Sequence, residues 1–139
     1  MPIKVYAFGT ENDPLAWEVA ALLKTELPNL DFVKSDNPDI LSNMPDEDIA
    51  NIIIMDGMRG LKRPEILTID DLIKKQPVSA HDIDLGMTLK LFQKTGKIHE
   101  KNVKIIGIPL DSKPKNVVDS ILRILKYLYK SHIKEVRGA

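Results

Sequence analysis

The chain has 139 residues, enough for one domain with its own core, and its 20 acidic and 20 basic residues leave no basic field to attract nucleic acid or anionic lipid. With no cysteine, disulfides, thiolate zinc sites and cysteine nucleophiles are excluded, and any metal must be held by oxygen and imidazole donors. No apolar run approaches a membrane span, and the opening MPIKVYAFG reads as a strand in place of a signal peptide, so the expectation is a single soluble, cytoplasmic domain over 1–139.

Ile3 to Phe8 alternates and is rich in branched and aromatic residues, which predicts a first strand ending at Gly9. After a short turn, Asp13 and Pro14 suit the cap and first position of a helix carrying Leu15, Val19, Leu22 and Leu23, which Pro28-Asn29 stops. Leu30 to Lys34 reads as a second strand, and Ser35 to Asp48 as a surface connection. The run ANIIIMDGMRG follows, and its four consecutive apolar residues, Ile52 to Met55, predict a strand buried on both faces in the middle of a parallel sheet.

Beyond a loop with two glycines and two arginines, Glu65 to Ile69 reads as a peripheral strand and Asp70 to Lys75 as one helical turn. PVSAHDID has no periodicity and reads as a loop; Asp84 then caps a helix with Leu85, Leu89 and Phe92 on one face, closed by Gly96. Val103 to Ile108 is another buried strand ended by Pro109. The last helix starts near Pro114 with Val117, Ile121, Leu125 and Leu128 in a stripe, and its polar tail is expected to fray. Strands alternating with amphipathic helices predict a three-layer α/β/α domain around a mostly parallel sheet of about five strands.

Three residues carry the candidate chemistry. In open α/β sheets ligands bind at the carboxyl ends of the strands, where Asp56 is expected; as a lone Asp-Gly pair, Asp56 and Gly57 would simply make a turn. The first strand-to-helix turn, Gly9 to Pro14, has one glycine and adds Glu11 and Asp13 at a helix N-terminus. That turn repels a phosphate and suits a cation, although Asp13 alone reads as an N-cap. His81 sits among Ser79, Ala80, Asp82 and Asp84 and, alone, is a locally bonded loop histidine; His99 and His132 are weaker candidates, and Asp111 is a competing carboxylate past the late strand. If Asp13, Asp56 and His81 converge at one rim, two carboxylates and an imidazole leave open positions on nickel, zinc or manganese, the pattern of a catalytic metal site.

In its order of elements, from the acidic turn into NDPLAWEVAALL through IIIMDG and SAHDIDLG to VKIIGIP, the chain resembles the hydrogenase maturation protease family over about Ile3 to Pro109. The resemblance implies an endopeptidase that removes a C-terminal extension from a nickel-iron hydrogenase large-subunit precursor after nickel insertion. It maps the metal-gripping residues onto Asp13, Asp56 and His81, with Glu11 or Asn12 as neighbouring alternatives for the first. The nickel is expected to arrive with the precursor, and no serine or cysteine nucleophile is required. Arg59 and Arg63 are candidates for contact with the precursor. Where the family opens with a glycine-asparagine turn and a second glycine early in the helix, this chain has Gly9-Thr10 and Ala16. The remaining readings are a noncatalytic maturation chaperone and a small-molecule-binding domain, which the acidic, glycine-poor turn disfavours.

Overall fold

The computed structural model describes residues 3–44, 51–74 and 80–137, with the side chains of residues 43, 74, 80–84 and 131–137 left out of the description. In chain order the elements are β1 (Ile3–Phe8), α1 (Leu15–Glu26), β2 (Leu30–Ser35), a 3-10 helix (Pro38–Asn43), β3 (Ile52–Met58), β4 (Glu65–Leu67), α2 (Ile69–Lys74), α3 (Ala80–Lys94), a 3-10 turn (Glu100–Asn102), β5 (Val103–Pro109) and α4 (Pro114–Arg137).

The five strands form one sheet in the order β2-β1-β3-β5-β4, parallel except for the short edge strand β4, which runs antiparallel to β5. β3 occupies the centre because all seven of its residues are buried, and only an inner strand covered on both faces can bury such a run. Successive side chains point to opposite faces, so Ile53 and Met55 join one core and Ile52 and Ile54 the other. The first core packs Leu15, Val19 and Leu23 of α1 with Val117, Ile121 and Leu125 of α4. The second packs Leu41, Ile69 and Leu72 with Leu85 and Leu89 of α3. The result is the expected three-layer sandwich.

Several boundaries differ from the sequence reading. The connection after β2 contains the 3-10 helix, whose Leu41 is fully buried, so this stretch contributes to the core and is not only a surface linker. α3 begins at Ala80, ahead of the anticipated start at Asp84, and α4 remains helical to Arg137 where fraying was expected. Gly96 closes α3 as predicted, with a positive φ of 79° that lets Lys97 donate its N–H back to the Phe92 carbonyl at 2.9 Å.

The direction of α3 follows from connectivity. The chain leaves β3 at its carboxyl edge, β4 takes it toward the amino edge, and α2 returns it. α2 and α3 lie antiparallel, with Asp70 paired to Lys90 and Ile73 against Gly86, so α3 descends to the amino edge where the parallel β5 begins. Its first turn therefore stands at the carboxyl edge of the sheet.

Candidate functional site

Among the described residues Asp56 is the buried charged side chain, at 1% exposure. It lies between Phe8 of β1 and Gly107 of β5. The sequence reading ended the strand at Asp56 and allowed a turn with Gly57. The strand instead continues through Gly57 and Met58, which pair with Ile108 and Pro109, because β5 extends equally far alongside. Asp56 is thus a strand residue two positions inside the carboxyl edge. By alternation it shares the face of Ile52 and Ile54, the face covered by α3. An ionised carboxylate this far from water is costly unless a cation or hydrogen-bond donors face it, which separates Asp56 from an ordinary turn aspartate.

Asp13 reaches the same edge by a different route. Its backbone N–H donates to the Thr10 carbonyl at 3.1 Å and lies 3.0 Å from the Thr10 hydroxyl, while the Thr10 N–H donates to the Asp13 carbonyl at 3.0 Å. This miniature hairpin leaves Glu11 and Asn12 exposed at its tip and Asp13 partly buried at its base. The helix itself begins at Leu15, with Pro14 in the capping position and no side-chain cap. The expectation of Asp13 as cap and Pro14 as first helical residue is therefore displaced by one residue. The Asp13 carboxylate instead lies over β3, its Oδ1 3.8 Å from the place a Cβ would occupy on Gly57.

The turn is held from behind by residues that sequence reasoning passed over. The Trp17 indole Nε1 donates to the carbonyls of Ala7 and Ser35, at 3.0 and 3.2 Å, bridging the ends of β1 and β2. Ser35 also accepts from the Gly9 N–H at 3.1 Å, and the Lys34 ammonium sits 4.1 Å from the centre of the Trp17 ring. Gly9 is pinned between Trp17 and the Asp13 carbonyl, so closely that a Cβ there would meet that oxygen at 2.9 Å. The signal available in the sequence was the spacing from Gly9 through Asp13 to Trp17, which one turn of helix folds back onto the strand end.

His81 falls in the first turn of α3, not in the loop anticipated for it, and its side chain lies outside the described residues, as does Ser79. Asp82 and Asp84 enter the helix with it, at the end where the macrodipole favours acids. The structure thus places Asp13 against the residue after Asp56, approaching from the α1 face while Asp56 faces α3, and the course of the chain puts the backbone of His81 toward the carboxyl edge of the sheet. Among the described residues no group of three or more His, Cys, Asp or Glu is placed to hold a metal. His99 is exposed on the 3-10 turn side of β5, away from this edge.

A pocket of about 520 Å³ opens at the same edge, lined by Arg59, Gly60 and Leu61 after β3 and by Leu110 and Asp111 after β5. Arg63, the other arginine considered, is not in its lining. The floor is tied to the site on both sides. The Leu110 Cδ1 lies 3.2 Å from the Cβ position of Gly57, which Asp13 also approaches, and the Leu110 N–H donates to the Met58 carbonyl at 2.9 Å. Leu61 folds over Gly107, the strand partner of Asp56, where a Cβ would meet the Leu61 Cδ1 at 2.7 Å.

Fold and edge define an open, mostly parallel α/β domain with an aspartate buried in its central strand and an acidic turn beside it. The sequence matches no family model and no curated protein. The fold is shared with solved structures. The hydrogenase maturating endopeptidase HybD from E. coli superposes with a TM-score of 0.64 at 16% identity, over 98% of this chain and 94% of that one. An uncharacterized protein from Wolinella succinogenes superposes with a TM-score of 0.52 at 18% identity, over 99% and 98% of the two chains. At such identities the likeness is one of fold. Among the described residues no helix is long and apolar enough to cross a membrane.

Proposed function

We propose that the protein is a peptidase that removes the C-terminal extension of a nickel-iron hydrogenase large-subunit precursor, recognising the nickel already inserted there. The observation that carries this reading is the burial of Asp56 in the central strand of a HybD-like fold, with Asp13 brought against the next residue of that strand. A nucleotide-binding domain would need bare amides in the first turn, and here a carboxylate occupies that position.

In this reading Asp13, Asp56 and His81 form the donor set. Two carboxylates and an imidazole suit a borderline divalent ion such as nickel, which is cargo of the precursor. An ion held there supplies a Lewis acid for the scissile carbonyl or an acidified water. Asp56 contributes charge in a water-poor setting, where an electrostatic contact is worth more than at the surface. Asp13, fixed by the Thr10 hairpin and the Trp17 brace, contributes a second oxygen donor from the opposite face, and either carboxylate can relay the proton to the departing amine. In this reading the partner is a hydrogenase large-subunit precursor, taken by analogy with the hydrogenase maturating endopeptidase that shares the fold.

Incubation with nickel-loaded precursor tests the reading. The wild-type chain is expected to shorten the precursor. Asp56→Asn, nearly isosteric, is expected to slow cleavage by at least about a hundredfold, as for loss of a transition-state charge contact, while keeping the wild-type circular dichroism spectrum. Wild-type protein that binds loaded precursor without cutting it would make this a maturation chaperone.

A further inference from the structure

We infer that the pocket formed by Arg59, Gly60, Leu61, Leu110 and Asp111 seats an apolar side chain of the substrate peptide beside the bond to be cut; this deepens the peptidase reading and rests on it. Three observations lead there. The first is chemistry: the floor is Leu61 and Leu110, while the exposed Arg59 and Asp111 supply one charge of each sign. Opposite charges at one rim disfavour phosphate, nucleotide or a strongly charged peptide. They match an extended backbone, with Arg59 donating to a carbonyl and Asp111 accepting from an amide N–H.

The second is shape. Gly60 leaves one wall without a side chain, and a Cβ there would meet nothing within 4 Å. At about 520 Å³ the pocket lies within the usual size range of ligand sites. The third is continuity: Leu110 packs on Gly57, which the Asp13 carboxylate approaches, and Leu61 packs on Gly107, the strand partner of Asp56. The same two leucines that floor the pocket therefore touch the strand positions next to both candidate carboxylates. A side chain seated on them holds its own backbone at the carboxyl edge of β3, beside Gly57, which Asp13 approaches, and one strand over from Asp56 at Gly107.

The test uses the full-length, nitrogen-15-labelled protein titrated by NMR with blocked pentapeptides, acetyl-Gly-Gly-X-Gly-Gly-amide, with leucine, lysine or glutamate at X. The leucine peptide is expected to shift the amides of Gly60, Leu61, Leu110 and Asp111 and to bind at least about tenfold more tightly than the other two, as expected for apolar contact in such a pocket. Leu110→Lys is expected to abolish the preference, and Leu110→Ala, which only trims the side chain, to reduce it. Equal affinities, a preference for a charged residue, or shifts confined to another surface would overturn the assignment. Docking here with a loaded precursor left uncut would defeat the peptidase reading and leave an apolar peptide site standing. Cleavage without any leucine preference would defeat the pocket assignment alone.

Discussion

Replacing Gly9 by alanine tests whether the first turn is built to hold Asp13. The added methyl would lie 2.9 Å from the Asp13 backbone oxygen and 3.3 Å from two atoms of the Trp17 ring. Neither neighbour yields easily. The Asp13 carbonyl accepts from the Thr10 N–H at 3.0 Å, and the indole is anchored to the Ala7 and Ser35 carbonyls. Overpacking of this kind costs about 1–3 kcal/mol, and at roughly 3–5 °C per kcal/mol for a domain of this size the melting temperature should fall by roughly 3–15 °C. The cheapest relief is to open the hairpin, which moves Asp13 off Gly57. A displacement near 1 Å at a reacting group can cost about a hundredfold in rate, so precursor processing should fall by more than the loss of folded protein explains. Thermal melts by circular dichroism and cleavage assays well below the melting temperature separate the two effects. A Gly9→Ala protein that melts and cleaves like wild type would refute both the tight turn and its role in placing Asp13.

Other substitutions probe the supports of the fold. Trp17→Phe keeps a ring under Lys34 but removes the N–H shared by the Ala7 and Ser35 carbonyls, and should lower stability by about 1–2 kcal/mol in urea unfolding. Leu89→Ala empties a fully buried position between α3 and the sheet and should cost about 2–5 kcal/mol, again by urea unfolding. Asp70→Asn breaks the Lys90–Asp70 ion pair at 3.0 Å, whose side chains are 36% and 56% exposed, and should change stability by no more than about 1 kcal/mol.

The contrast between Ile52–Met55 and Ala80–Asp84 shows what a sequence can reveal here. Four adjacent apolar residues have no polar face, so a strand buried on both sides is nearly forced, and a carboxylate following them stands out as a candidate. How far that strand extends depends on β5, far along the chain, whose Ile108 and Pro109 keep Gly57 and Met58 paired. No local pattern around Asp56 carries that information, and so the residue reads as the last of its strand, with a turn at Gly57 left open. At Ala80 the difficulty is reversed. The first turn of α3 carries a histidine and an acid, residues that lack apolar periodicity but suit the start of a helix, so the segment read as a loop.

The same distinction separates Asp13 from its simpler role. Aspartate before proline suggests a cap, and that reading uses only neighbours in sequence. What diverts Asp13 is a set of contacts with Thr10, Gly9 and Trp17, and through Trp17 with the ends of β1 and β2. Gly9, Thr10 and Trp17 all lie within four residues of Asp13, but Trp17 is itself fixed by the carbonyls of Ala7 and Ser35, so the geometry of the turn depends on how β1, β2 and α1 pack together. A carboxylate whose position depends on three elements cannot be relaxed by one exposed substitution at Glu11 or Asn12. It should be sensitive to changes at Gly9 and Trp17, residues that carry no charge and cannot ligate a metal through their side chains. If the edge of this sheet grips a cation, its geometry is therefore set by the packing of the first two strands as much as by the acids themselves.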